Sequence, residues 1–317
     1  MNHHRTALPQ LDAAAFLADG GIETSLIFDD GIDLPDFASF HLLSTTAGRR
    51  ALERYFERYA ELAVRFSTGI VLETPTWRSS PDWGARLGYS FEDLMRINGE
   101  AVRLVDGVRR RFETPSAPIV VSGCVGPRGD GYDPGQLMTA EEARAYHAPQ
   151  IRAMTEAGAD MISAITMTNL EEGVGVIRAA RAVDMPVAVA FTVETDGVLP
   201  TGQPLAEAIT AADEATEAYA AYYMVNCAHP THFSHVLDER ASWTHRIRGV
   251  RANASRMSHA ELDEATELDP GDPDELASQY AELRRRLPGV TVLGGCCGTN
   301  EVHVEAIAKA CVATATA

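Results

Sequence analysis

Cys296 and Cys297 stand side by side in the run VTVLGGCCGTN (290–300), framed by Gly294, Gly295 and Gly298. Consecutive side chains on a regular strand point to opposite faces. Both sulfurs reach one metal ion only if the backbone bends, and the three glycines permit that. A third thiol, Cys227, closes a separate apolar run, AYYMVNC. Three protein ligands and one open position describe a catalytic zinc site, whereas a structural site closes with a fourth. Three thiolates already place about three negative charges on Zn²⁺, which makes the ion a weak Lewis acid for producing hydroxide. Such an ion still binds an incoming thiol and strips its proton. A free thiol, with a pKa of about 8.5, is mostly protonated at neutral pH. The chemistry that follows is attack of an aimed sulfur on an electrophilic carbon.

Other readings stand beside this one. The vicinal pair also suits buried small residues or a strained disulfide, and the ion also suits a structural or sensing role. His229, His232 and His235 follow Cys227 closely and offer competing ligands. Cys124 and Cys311 read as packing. Five cysteines, an odd number in a chain of 317 residues, argue against a disulfide framework.

Something must bring these sulfurs together. Eight short apolar runs, rich in Val, Ile and aromatics, read as buried strands. They lie near 15–21, 69–74, 117–126, 160–166, 185–194, 221–227, 245–253 and 289–297. Amphipathic segments alternate with them. One carries Leu52, Phe56, Tyr59, Leu62 and Phe66 at helical spacing. A second opens at Ser90 with Glu92 and Asp93 in its first turn. A third opens on the capping box Thr139–Glu142 and stops at Gly158. Further helices are expected over 272–289 and 299–312, with shorter ones after Asn169, Pro204 and Pro230. Alternation also suits a doubly wound sheet, but eight strand–helix units are the count of a (β/α)8 barrel. No linker or repeat divides the chain, so one domain over 1–317 is expected. In such a barrel the chemistry sits at the strand ends. Those ends read DGGIET, ETPTW, GCVGPRGDG, ITMTN, VETDG, NCAHP, RANAS and GGCCGTN.

The formal net charge is −18. Phosphate binding needs clustered Lys and Arg, so nucleic acid and anionic membrane surfaces are excluded as partners. A cationic small molecule is drawn toward such a field. No apolar run approaches the ~18–20 residues of a membrane span. The N-terminal apolar stretch is interrupted by Asp12. A cytoplasmic protein, monomer or homo-oligomer, is expected.

At the cysteine motifs the chain resembles the homocysteine S-methyltransferase family. That family includes the betaine- and S-methylmethionine-dependent enzymes and the homocysteine domain of cobalamin-dependent methionine synthase. The matching stretches are LADGGIETSL, LETPTW, VSGCVGPRGDGY, GADMISAITMTNLEE, VNCAHP and GGCCGTNEVHVEAIA. The resemblance implies a (β/α)8 barrel, Zn²⁺ on Cys227, Cys296 and Cys297, and methyl transfer to a small thiol acceptor, which for homocysteine is methionine biosynthesis. It also implies that Asp19, Gly20 and Thr74 help hold the amino acid and that Asn226 borders the metal. The chain departs from the pattern at two places. Ile165 stands where relatives carry a Glu that grips the substrate ammonium, and Glu194 is a substitute one strand on. Arg251 stands where relatives show Tyr, and a guanidinium there suits a carboxylate. An acceptor other than homocysteine, a different thiol or a selenol, follows as the alternative. The chain offers no segment for a cobalamin or folate domain. The donor is then a free onium molecule: S-methylmethionine, S-adenosylmethionine or betaine. Trp77, Trp83 and Tyr132 are placed to face its cation.

Overall fold

The computed structural model describes residues 4–312. Eight parallel strands close into a barrel in sequence order. They are β1 (Phe16–Ala18), β2 (Gly69–Glu73), β3 (Ile119–Val125), β4 (Met161–Met167), β5 (Val187–Phe191), β6 (Tyr222–Asn226), β7 (Ile247–Ala252) and β8 (Val292–Gly295). Each falls within an expected apolar run or runs one residue beyond it, as Met167 does in β4. β1 pairs with β8 through Phe16–Val292 and Leu17–Leu293, which completes the closure.

Seven long helices wrap the barrel: α1 (Thr46–Phe66), α2 (Phe91–Phe112), α3 (Ala140–Ala157), α4 (Leu170–Arg181), α5 (Leu205–Thr216), α6 (Pro273–Arg286) and α7 (Glu301–Cys311). The sixth unit keeps only Pro230–Phe233 as a helix. Helix starts follow local chemistry. Ser90 and Thr139 form reciprocal capping boxes with Asp93 and Glu142. Gly158 ends α3 at φ 100°, a conformation that favours glycine.

Strand parity sorts the side chains. One set packs between sheet and helices, with Leu52, Tyr55, Phe56 and Tyr59 of α1 among its fully buried members. The other fills the barrel: Phe16, Val71, Val120, Met161, Ala188, Tyr222 and Val292 form its lower part. Further along the same inward faces come Glu73, two positions after Val71, and Ile165, four positions after Met161. The inward faces therefore change from apolar to chemical as they approach the C-terminal rim. Strands are short, so Asp19, Thr74, Cys227, Cys296 and Cys297 lie just past strand ends. Among the described residues no helix is long and apolar enough to cross a membrane.

Candidate active site

The three sulfurs converge from two loops. The Sγ atoms of Cys227, Cys296 and Cys297 all lie within 4.8 Å of one another. Cys227 and Cys297 are 3.9 Å apart. Two thiolates on a common tetrahedral ion, each at about 2.3 Å, are separated by about 3.8 Å. Cys227 and Cys296 form a disulfide, with Cα atoms 5.4 Å apart. The sequence argued against a disulfide framework; a single bond occurs because the convergence that suits an ion also brings thiols within reach of each other. When reduced, the same positions offer three thiolates.

Each sulfur has one hydrogen-bond donor. The Thr166 hydroxyl reaches Cys227 Sγ at 3.6 Å, the Asn226 amide reaches Cys296 Sγ at 3.8 Å, and the Tyr132 hydroxyl reaches Cys297 Sγ at 3.4 Å. Asn226 also bonds Thr166 twice, through its backbone N–H and its hydroxyl. Such partners orient ligands and spread thiolate charge, which is the arrangement that metal-binding sulfurs require. The backbone is strained here: Cys227 sits at φ 51° and Thr166 at φ 64°. Left-handed conformations are outliers for a β-branched residue and cluster at functional sites. The bend between Cys296 and the next helix comes from Gly298, at φ +79°. Gly295 stays in the strand and serves a different need, since a Cβ there would meet Thr299 Oγ1 at 2.0 Å.

None of His229, His232 and His235 joins the cluster. His229 caps its helix by accepting from the Thr231 N–H, His232 bonds the Arg256 carbonyl, and His235 the Asp196 carbonyl. Cys124 is buried on the cavity floor, and Cys311 lies on α7.

The sulfurs open onto a cavity of about 380 Å³. Asp19, Gly20, Thr74 and Arg251 line it, as do Glu73, Ile165 and Cys124. Arg251 Nη2 donates to Asp19 Oδ1 at 2.5 Å, and its Nη1 lies 3.9 Å from Glu73 Oε1. Burial opposes the charge on Arg251, but Asp19 and Glu73 outweigh it and hold the pKa above its ordinary value. Burial raises Asp19, against the pull of Arg251. Burial also pushes Glu73 up to about 7, with Arg251 opposing. Ser122 and Ser163, below Glu73, bond each other at 2.7 Å. The Thr74 hydroxyl accepts from the Cys124 N–H and bonds Thr76, so it is largely occupied by the chain itself.

Two expectations are corrected. Glu194 does not line the cavity; it bonds His259 Nδ1 at 3.0 Å. His259 in turn stacks on Tyr132, with centroids 3.9 Å apart, and its Nε2 bonds the Cys227 carbonyl at 2.7 Å. Glu194 thus orients the ring that braces a sulfur's hydrogen-bond donor. Trp83 lies on the helix Pro81–Arg86 rather than in a loop, covered by Arg78 and Arg86 at 3.9 and 4.6 Å from its ring, and is unavailable to a ligand cation. Trp77 and Tyr132 do line the cavity, as do Phe28, Phe37, Glu23 and Asp130. Asn226 borders the sulfurs without lining the cavity.

Glu73 is the residue that sequence reasoning missed. Its signal was an acid closing the strand run GIVLE, where an otherwise apolar inward face ends on a charge.

The profile of the family described as homocysteine S-methyltransferase matches residues 16–311. Homocysteine S-methyltransferase 4 of Zea mays is 28% identical over 243 residues, 70% of each chain. Homocysteine S-methyltransferase 1 of Arabidopsis thaliana is 22% identical over 312 residues, 92% of each chain. The metallated form of the homocysteine methyltransferase MmuM from Escherichia coli superposes with a TM-score of 0.73 at 19% identity, covering 95% of this chain and 98% of that one.

Proposed function

The chain belongs to the homocysteine S-methyltransferase family and is a methyltransferase, and from that premise we propose that it is zinc-dependent and transfers a methyl group from a small onium donor to a homocysteine-like thiol. The observation that carries this reading is the convergence of three sulfurs at the head of a cavity, each with its own hydrogen-bond donor. Held by Cys227, Cys296 and Cys297, Zn²⁺ would supply the Lewis acidity that deprotonates an acceptor thiol at neutral pH. Thr166, Asn226 and Tyr132 orient the three cysteines. Arg78 lies 4.9 Å from the Trp77 ring and pairs with Asp130, so Tyr132 and Glu23 are the aromatic face and carboxylate left in the cavity to attract an onium group. The walls align the two substrates for direct displacement, and proximity supplies much of the rate. A sulfur–carbon bond forms as the donor's carbon–heteroatom bond breaks, and its electron pair stays on a neutral leaving group. The chain then needs no general acid. Thiolate ligands require a reducing compartment, consistent with the cytoplasm.

Ile165 on the cavity wall favours a second reading in which the acceptor is another thiol or a selenol. The test is incubation of reduced, zinc-loaded protein with homocysteine and other thiols, each with S-methylmethionine, S-adenosylmethionine or betaine. Methylated sulfur from at least one pairing is expected. Absence of any methylated thiol would overturn the proposal; turnover of other thiols but never homocysteine selects the second reading.

A further inference from the structure

Of the three cysteines, Cys227 alone sits in the left-handed region, at φ 51°. That conformation is disfavoured for any residue with a Cβ and persists where the surroundings impose it. Here they act through the carbonyl. The Cys227 oxygen accepts from His259 Nε2 at 2.7 Å, from Asn253 Nδ2 at 3.0 Å and, at the limit of a hydrogen bond, from the Thr192 hydroxyl at 3.5 Å. A carbonyl has two lone pairs, so the two short bonds saturate it. All three donors are buried. They come from three places: Thr192 just past β5, Asn253 just past β7, and His259 at the start of the short helix His259–Glu264. The Cys227 N–H donates to the Arg251 carbonyl at 3.1 Å, and the Asn253 N–H to the Ala228 carbonyl at 3.2 Å. The peptide groups before and after the Cys227 carbonyl are thus tied to the β7 chain as well.

His259 has a second contact with the site. Its ring lies flat on Tyr132, with planes 11° apart, and the Tyr132 hydroxyl donates to Cys297 Sγ at 3.4 Å. One imidazole therefore meets the backbone of one cysteine and the hydrogen-bond donor of another. A carbonyl only accepts, so Nε2 carries a proton. The Glu194 carboxylate, 3.0 Å from Nδ1, fixes the ring's orientation.

We propose that His259 is a positioning residue for the ligand set, with Asn253 as its partner: together they hold Cys227 in the left-handed turn that aims its sulfur at Cys296 and Cys297. His259 does not line the cavity, so it acts through Cys227 and Tyr132 rather than on a substrate. A short bond to the backbone of one ligand constrains the site more than stacking against the donor of another, so most of the effect runs through Cys227. This rests on the zinc reading above and names the residues that preorganise its ligands.

The experiment is uptake of Co²⁺ by reduced, metal-free protein. The visible bands of the bound ion report ligand geometry, and competition with a chelator reports affinity. His259→Phe keeps a ring against Tyr132 and removes the donor to Cys227. His259→Gln keeps a donor and removes the ring. Asn253→Ala removes the other short bond to the same carbonyl and takes the place of His259→Phe if that variant does not fold. His259→Phe and Asn253→Ala are each expected to bind Co²⁺ about tenfold more weakly than wild type, with displaced bands. His259→Gln should recover most of the affinity that His259→Phe loses. A brace for the fold alone would lower the melting temperature without moving the bands. Bands unchanged and affinity within about twofold of wild type in the folded loss variants would overturn the inference. So would a His259→Gln that binds no better than His259→Phe. A wild type that takes up no Co²⁺ would overturn both this inference and the zinc reading. The expected losses in a protein that methylates no thiol would instead retire the proposed function and leave the positioning role standing.

Discussion

Glu73 and Arg251 carry opposite burdens, and Glu73 has a consequence measurable without substrate. Burial raises its pKa from the ordinary 4.5 to about 7. Between those values the folded protein holds a proton that the unfolded chain has lost. This group therefore takes stability away as pH rises from about 4.5 to about 7, and its contribution is flat above that. Arg251, Asp19 and Cys124 face the same space, and substitution at Glu73 isolates its share. Glu73→Gln is expected to gain stability relative to wild type on going from pH 5 to pH 8 in chemical denaturation. A difference that does not change with pH would contradict the assignment. Little of this was legible in the sequence. Asp19 and Arg251 are 232 positions apart, and nothing in either local pattern announces that they pair. Arg251 read as a clamp for a carboxylate, and only its inward position on β7 shows that Asp19 of the chain itself takes that place.

At the level of elements, the loops after β6 and β8 do the positioning. Gly298 turns the chain after the cysteine pair at φ +79°, and a Cβ there would lie 3.0 Å from Ala254 Cβ and 3.2 Å from the Asp269 carbonyl. An L-residue in that conformation costs about 1–2 kcal/mol. Gly298→Ala should lower unfolding stability by about that much and weaken zinc retention in a chelator competition; unchanged values for both would show that the turn is not set by this residue. The strands, capping boxes and the helix stop at Gly158 were legible because each rests on chemistry within a few residues. Less legible were the places where register breaks. The β4–β5 pairing shifts between Ala164 and Met167, around Thr166 at φ 64°. The β6–β7 pairing shifts at Tyr223/Met224. The first of these irregularities brackets Thr166, which donates to Cys227 Sγ, and strand periodicity carries no trace of either. The same limit explains Glu194, which lies at the end of the expected run but reaches His259 on a later helix rather than the cavity.

For the whole molecule, the barrel converts eight distant strand ends into one rim, and that is why three cysteines spread over 71 positions become a single site. The net charge of −18 takes on local meaning there, since Glu23, Asp130, Asp263, Glu267 and Asp269 all line the cavity. Arg78 and Arg251 are the basic side chains among those lining residues, paired with Asp130 and Asp19 respectively. The account depends above all on the three sulfurs acting as one ligand set for a catalytic ion. The most direct measurement is zinc content and thiol methylation determined together on reduced wild type, Cys227→Ala, Cys296→Ala and Cys297→Ala. About one zinc per chain in wild type, with zinc and methyl transfer lost together in every variant, is the predicted result. Methyl transfer that persists in zinc-free protein, or full zinc retention in any of the three variants, would contradict it.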